Sequence, residues 1–280
     1  MSLRMTYYTL PVEIIEQIID QLRGECSTLL NCALTCRDLF PRAIEVLYTA
    51  IRIQNRAAYD TFLRVRFSVK TRDAFLQTED LEFSDRREKR LWEKTFLQGM
   101  IFTFAGVTFP NLGRLAFRSE DRIQEPFILH FRIPGSFTKT FSSVRALTLD
   151  GVQFYTLRDF VRLVCALPHL EELYLMGRIL LKQLPPRQVV MTEATGSQLK
   201  LQQFCLSTNS VQMSEEALYM WLMCTPTVQA QTLQVLHLDS LAPLYVPEWR
   251  YYDTLARLQE RLGSSLTDLQ IPTKRGGASR

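Results

Sequence analysis

The sequence predicts an α/β chain: a short N-terminal three-helix unit followed by an irregular right-handed α/β solenoid. Three observations carry this expectation. Apolar-x-x-apolar-x-apolar units recur along the chain at spacings of 26 to 34 residues, and self-similarity at such a period marks a stacked repeat architecture. Residues 10 to 53 hold three short amphipathic patterns with more apolar surface than so small a unit can bury alone. Finally, 280 residues with 46% hydrophobic and 22% charged side chains fall in the globular range, long enough to build a core without a disulfide or metal staple. The divisions expected are residues 8–53, residues 54–272 and a polar, glycine-bearing tail at 273–280.

The first helical pattern follows Leu10-Pro11. Proline suits a first helical position because its missing N–H has no partner there anyway, and Glu13 places an acid where the helix dipole favours it. Ile14, Ile15, Ile18, Ile19 and Leu22 recur at helical spacing, and Arg23-Gly24 marks the end. A second helix is expected near Ser27 or Thr28, either of which fits as N-cap. Its apolar side is Leu29, Leu30, Cys32, Ala33 and Cys36, extended by Leu34. Asp38-Leu39-Phe40-Pro41 breaks or kinks it, since the residue before proline avoids the α region. A third helix over 41–49 carries Ala43, Ile44, Leu47 and Tyr48.

In order and spacing this segment resembles the F-box. The matching elements are Leu10-Pro11, Glu13, Ile14-Ile15, Ile18-Ile19 and Leu22, then Ala33-Leu34-Thr35-Cys36-Arg37. Leu47-Tyr48 and Ile51-Arg52-Ile53 look like the linker strand of fungal F-box proteins. The resemblance spans roughly residues 8 to 50, and the plain reading beside it is a helical cap on a larger domain.

Downstream, the repeating units are Leu112/Leu115/Phe117, Val144/Leu147/Leu149, Leu170/Leu173/Leu175, Leu201/Phe204/Leu206, Leu233/Leu236/Leu238 and Leu266/Leu269/Ile271. Ile51 with Ile53 and Leu81 with Phe83 are earlier candidates. The alternation at each unit suits a short strand with one buried face. Helical patterns lie between: 86–104, Thr156–Leu167, Ser214–Cys224 and Glu248–Leu262. The clearest has Leu157, Phe160, Val161, Val164 and Leu167 on one side and begins with a capping-box pair, Thr156 and Asp159. Strand, helix, return, repeated, requires right-handed crossovers and a parallel sheet. The array resembles a degenerate leucine-rich repeat of the long, helix-containing type, with Asn209 at the asparagine position of one unit only. An ordinary α/β domain is the alternative.

Catalytic signatures are missing. His130, His169 and His237 stand far apart, outside any metal-ligand spacing, and no GxGxxG, GxxxxGK[ST] or GxSxG occurs. Cys26, Cys32 and Cys36 lack the second pair a zinc site needs, and Cys32 and Cys36 would share one helix face. Neither a metal, a cofactor nor an enzyme activity is expected. Six cysteines in a long chain without an apolar leader in Met1–Tyr8 point to mostly buried thiols in a reducing compartment, cytoplasmic or nuclear. A net charge of +4 is too small for a nucleic-acid binder. The longest apolar run, Met100–Pro110, is too short for a membrane span.

The family resemblance implies a substrate receptor of an SCF-type cullin ubiquitin ligase, non-catalytic, docking on a Skp-type adaptor and through it on cullin. Adaptor contact is expected at Leu10, Pro11, Ile14, Ile15, Ile18, Leu22, Leu34 and Arg37. A target protein would lie on the strand side of the repeats, where the outward candidates are Ala116, Thr148, Tyr174, Cys205 and His237. A repeat-based interaction scaffold outside any ligase is the competing expectation.

Overall fold

The computed structural model describes residues 10–66, 74–85, 108–119, 127–129, 135–177, 179–183, 199–207, 221, 232–238, 256, 260, 262–263 and 265–270. The expected helix at 86–104, most of those at 214–224 and 248–262, together with His130, Asn209, Cys224, Ile271 and the tail, lie outside the described residues.

The chain is a mixed α/β structure built on a parallel eight-stranded sheet. Three helices open it: α1 (Val12–Asp20), α2 (Cys26–Thr35) and α3 (Phe40–Thr49). Helix α3 packs against both α1 and α2. Their shared core is Ile19, Leu29, Ala33, Ala43 and Val46, with Ile15, Leu22, Cys32, Leu39, Ile44 and Leu47 partly buried around it. Gly24, at φ 95°, makes the turn between α1 and α2, a backbone conformation open to glycine and costly to other residues. Helix α2 therefore starts at Cys26, earlier than expected, with Glu25 as N-cap and no side-chain cap from Ser27 or Thr28.

Helix α3 runs directly into β1 (Ala50–Ile53), so the last residues of the expected 8–53 unit are hydrogen-bonded into the sheet. There follow α4 (Arg56–Arg66), β2 (Asp80–Asp85), β3 (Arg114–Ser119), β4 (Phe127–Leu129), α5 (Gly135–Thr140), β5 (Ala146–Asp150), β6 (Val152–Thr156) and α6 (Leu157–Cys165). The chain continues through β7 (Glu172–Met176), β8 (Leu180–Gln183), β9 (Gln203–Ser207), β10 (Val235–Leu238) and β11 (Asp268–Gln270). The large sheet has the order β1-β2-β3-β5-β7-β9-β10-β11, and every pairing is parallel.

The register of that sheet aligns the apolar marker positions. Ile51, Leu81, Leu115, Leu147, Leu173, Phe204, Leu236 and Leu269 are consecutive partners across it. Ile53, Phe83, Phe117, Leu149, Leu175, Leu206 and Leu238 are buried two residues further on, on the same face by strand alternation. Leu269, on the edge strand, is the one member of its row that is well exposed. At the strand entrances, the carbonyls of Gly113, Arg145, Glu171, Gln202 and Gln234 each accept two N–H groups from the next coil. This stacked ladder satisfies backbone that a buried loop would otherwise leave unpaired.

A second parallel sheet, β4-β6-β8, interleaves with the first and was not expected. Glycines turn the corners: Gly151 between β5 and β6 and Gly177 between β7 and β8, both at φ 65°. Their N–H groups donate to Met176 O at 3.1 Å and Ser207 O at 2.9 Å, tying each corner to the next coil. Helix α6 packs on β6. Its capping box forms: Asp159 N–H donates to the Thr156 hydroxyl at 3.2 Å, and Thr156 N–H donates to the Asp159 carboxylate at 3.1 Å. Leu157, Phe160, Val161, Val164 and Leu167 are buried, with Leu163 beside them. Phe160 meets Phe154 and Trp221 edge-on, with ring centroids 5.5 and 5.1 Å apart, a favoured aromatic geometry.

Among the described cysteines none is buried. Cys26 and Cys36 are exposed and Cys32, Cys165 and Cys205 half-buried. Cys36 sits in extended backbone just past α2, so it leaves the helix face it was expected to share with Cys32. Among the described residues, no helix is long and apolar enough to cross a membrane.

Candidate functional site

Two surfaces stand out. The first is the outside of the three-helix unit. On α1, Ile19 fills the small core and Ile15 and Leu22 pack at its margin. Ile14 and Ile18, one turn apart, point away and are exposed, as are Leu10 and Val12 before them. On α2 the same division recurs: Leu29 and Ala33 face inward, Leu30 and Leu34 outward. Leu34 is 83% exposed and Leu10 57%. Phe40, at the start of α3, is exposed too. The wide apolar stripes read from the sequence are therefore two-sided, and one side of each is left exposed among the described residues. Gathered exposed apolar side chains of this kind make the unit a candidate interaction surface.

Of the residues expected to meet an adaptor, Leu10, Pro11, Ile14, Ile18, Leu34 and Arg37 are exposed. Ile15 and Leu22 are half-buried against the unit's own core. Val12, Leu30 and Phe40 are exposed apolar residues that the motif did not include.

The second surface is the outward face of the large sheet. Ala116, Thr148, Tyr174, Cys205 and His237 form one unbroken row of register partners, each half-buried. The row continues to Arg52 and Glu82 at one end and Gln270 at the other. Those three were missed, although each directly follows an apolar marker just as the five expected residues do.

A groove of about 420 Å³ lies over β1, β2, β3, β5 and β7, lined by Arg52, Asp80, Glu82, Arg114, Arg118, Thr148, Glu172 and Tyr174 among others. Its charges are ordered. Arg114 grips Asp80 with two N–H groups, the Nη2 bond 2.6 Å long. That pairing, chiefly the hydrogen bond, raises the guanidinium pKa further above its ordinary range. Asp80 also stands 3.7 Å from Arg23, which contacts Glu79 at 2.5 Å and so joins the three-helix unit to the sheet. The Tyr174 hydroxyl donates to Glu172 at 2.9 Å. Burial and then that bond push the phenol up to about 12. The Arg118 Nε lies 3.6 Å from Glu82, within ion-pair range but beyond hydrogen-bond reach, and this atom is buried without a hydrogen-bond partner among the described residues. Farther along, the His237 imidazole is 3.0 Å from Asp268.

Among the described residues no cluster of three His, Cys, Asp or Glu side chains is placed to hold a metal ion. Compared with protein-family models and with curated proteins, the chain matches none.

Proposed function

We propose that this chain is the substrate-recognition subunit of an SCF-type cullin ubiquitin ligase. In this reading the three-helix unit is an F-box that docks on a Skp-type adaptor, and the stacked strands are a degenerate leucine-rich-repeat-like solenoid that holds a target protein. The chain makes and breaks no bonds; it raises the local concentration of target lysines near a charged conjugating enzyme. One observation carries the reading. Leu10, Ile14, Ile18, Leu30 and Leu34 are exposed on a unit whose own core is already closed by Ile19, Leu29, Ala33, Ala43 and Val46. Leucine and isoleucine exposed together on one small unit support a surface that another protein covers.

The test is co-expression with a Skp-type adaptor and purification through a tag on the adaptor. Wild type is retained, and Leu10→Ala with Pro11→Ala is lost while remaining folded. A folded wild type that does not co-purify with the adaptor removes the receptor reading and leaves a repeat-based scaffold.

A further inference from the structure

We propose that the open edge of β1 takes up an extended peptide of a target protein as an added strand, with one large apolar side chain of that peptide seated between β1 and α4. The proposal deepens the reading of the stacked strands as the target-holding part of the chain. It does not depend on the three-helix unit meeting an adaptor.

The register of the sheet fixes which way the backbone of β1 points. Arg114 and Ala146, the first residues of β3 and β5, donate their N–H groups back to the preceding coil, to Glu79 O at 3.0 Å and Gly113 O at 2.9 Å. Ala50 is their register equivalent. Arg52 lies two residues on, so its N–H and C=O point the same way. On that side no strand precedes β1 among the described residues, and neither group has a hydrogen-bond partner there. An N–H and a C=O side by side on an open sheet edge are the template for another extended chain.

Beside this edge lies a cavity of about 400 Å³, within the range of binding pockets. Ile51, Arg52 and Ile53 all line it. Successive side chains of a strand point to opposite faces, so three consecutive lining residues bring the cavity to the strand's edge. The facing wall is α4, where Ala57, Ala58 and Thr61 line the cavity with short side chains that leave the space open. The floor is aromatic: Phe75 meets Tyr48 and Phe62 edge-on, with ring centroids 4.9 and 5.4 Å apart. A strand added at Arg52 turns alternate side chains toward α4, and the cavity takes one of them, of leucine or phenylalanine size. A second copy of this chain is the poorer occupant. Pairing two β1 strands about Arg52 sets one guanidinium against the other, and like charges directly opposite destabilise a strand pair.

The experiment uses the full chain and short, fluorescein-labelled threonine-rich peptides with leucine, phenylalanine or serine at the centre, read by anisotropy. A further probe is the leucine peptide with its central amides N-methylated, which removes the donors a strand pair needs. The leucine and phenylalanine peptides bind wild type at least about tenfold more tightly than the serine and N-methylated peptides, as one buried apolar side chain and a pair of backbone hydrogen bonds require. Arg52→Pro removes the N–H at the open edge, where proline is tolerated. Ala57→Phe fills the cavity from an exposed position. Each lowers leucine-peptide affinity by about tenfold, and Arg52→Ala, which keeps the N–H, binds more tightly than Arg52→Pro. If Arg52→Pro does not fold, Ala57→Phe and the N-methylated probe keep the test decisive. Failure of both apolar peptides to bind folded wild type overturns the proposal, as does equal binding of the serine or N-methylated probe, or wild-type affinity in Ala57→Phe. Self-association of wild type in sedimentation velocity that Arg52→Pro abolishes also overturns it, by assigning the edge to a second copy. Adaptor co-purification is scored on the same proteins: absent peptide binding with adaptor capture intact rejects the added strand alone, and absent adaptor capture with peptide binding intact leaves it standing.

Discussion

Arg42 on α3 holds Asp20 at the end of α1 with two hydrogen bonds of 2.7 Å, Nε to Oδ1 and Nη2 to Oδ2. The same guanidinium reaches Glu45 at 3.1 Å. The hydrogen bond to Asp20 is the largest of the causes that hold the Arg42 pKa further above its ordinary range. This fork fixes α1 across α3 and so fixes how Ile14 and Ile18 are presented. Both side chains are more than a third exposed, and solvent screening limits the pair to about 0.5–1 kcal/mol. Arg42→Ala is expected to lower stability by that amount in denaturant unfolding and to weaken adaptor capture more than the stability loss explains. Unchanged capture would separate the ion pair from presentation of the face.

The two sides of α2 predict opposite phenotypes. Leu29 is buried in the small core, whereas Leu34 is 83% exposed. Leu29→Ala should cost about 2–5 kcal/mol, the usual range for a core leucine. Leu34→Glu should change stability by less than about 0.5 kcal/mol. Thermal unfolding of the two variants distinguishes them, and a large loss in Leu34→Glu would mean that the residue is covered within the chain.

The corner glycines are sensitive backbone positions. A Cβ on Gly151 would lie 2.8 Å from the Ser119 Cβ, and one on Gly177 would run into the Asp150 carboxylate. Both have φ 65°, where a side chain costs about 1–2 kcal/mol before any clash. Gly177→Ala is expected to lose at least that much, measured by chemical denaturation. A neutral result would mean that the β7–β8 corner rearranges at no cost.

Much of this architecture was legible in the sequence, for physical reasons. The markers from Leu81 to Leu236 are buried, and burial on one face of a strand leaves a period-two trace. The cap of α6 was legible because Thr156 and Asp159 satisfy each other locally. The second sheet was not. Val152–Thr156 follows β5 after a single residue and ends in the α6 cap, so it reads as a run-in to that helix. Its local signals were the Asp150-Gly151 pair and the short Val152/Phe154 alternation. Nor does periodicity alone tell a stripe that fills a core from one left open: Leu29 and Leu30 are neighbours in sequence and face opposite ways. The arginine–carboxylate pairs of the groove depend on register between strands more than 30 residues apart, which no local pattern records.

Tyr174 gives the account a pH signature. Its pKa is raised, first by burial and then by the hydrogen bond to Glu172, to about 12, against an ordinary value of about 10. A folded-state pKa above the unfolded one means the contribution to stability is fully present below about pH 10 and fades as pH rises through the folded value. Wild type should lose stability between pH 10 and 12 more steeply than Tyr174→Phe, measured by denaturant midpoints across that interval. Parallel curves would show that the phenol is not held as described.

The most direct measurement is calorimetric titration of a purified Skp-type adaptor into the full chain, wild type against Ile18→Glu with Leu34→Glu. Both side chains are exposed, so the variant should keep the wild-type circular dichroism spectrum and unfolding midpoint. The account predicts that wild type binds and the variant loses at least about a hundredfold in affinity, from two apolar contacts replaced by buried charge. Equal binding by both proteins, or no binding by a folded wild type, would contradict it.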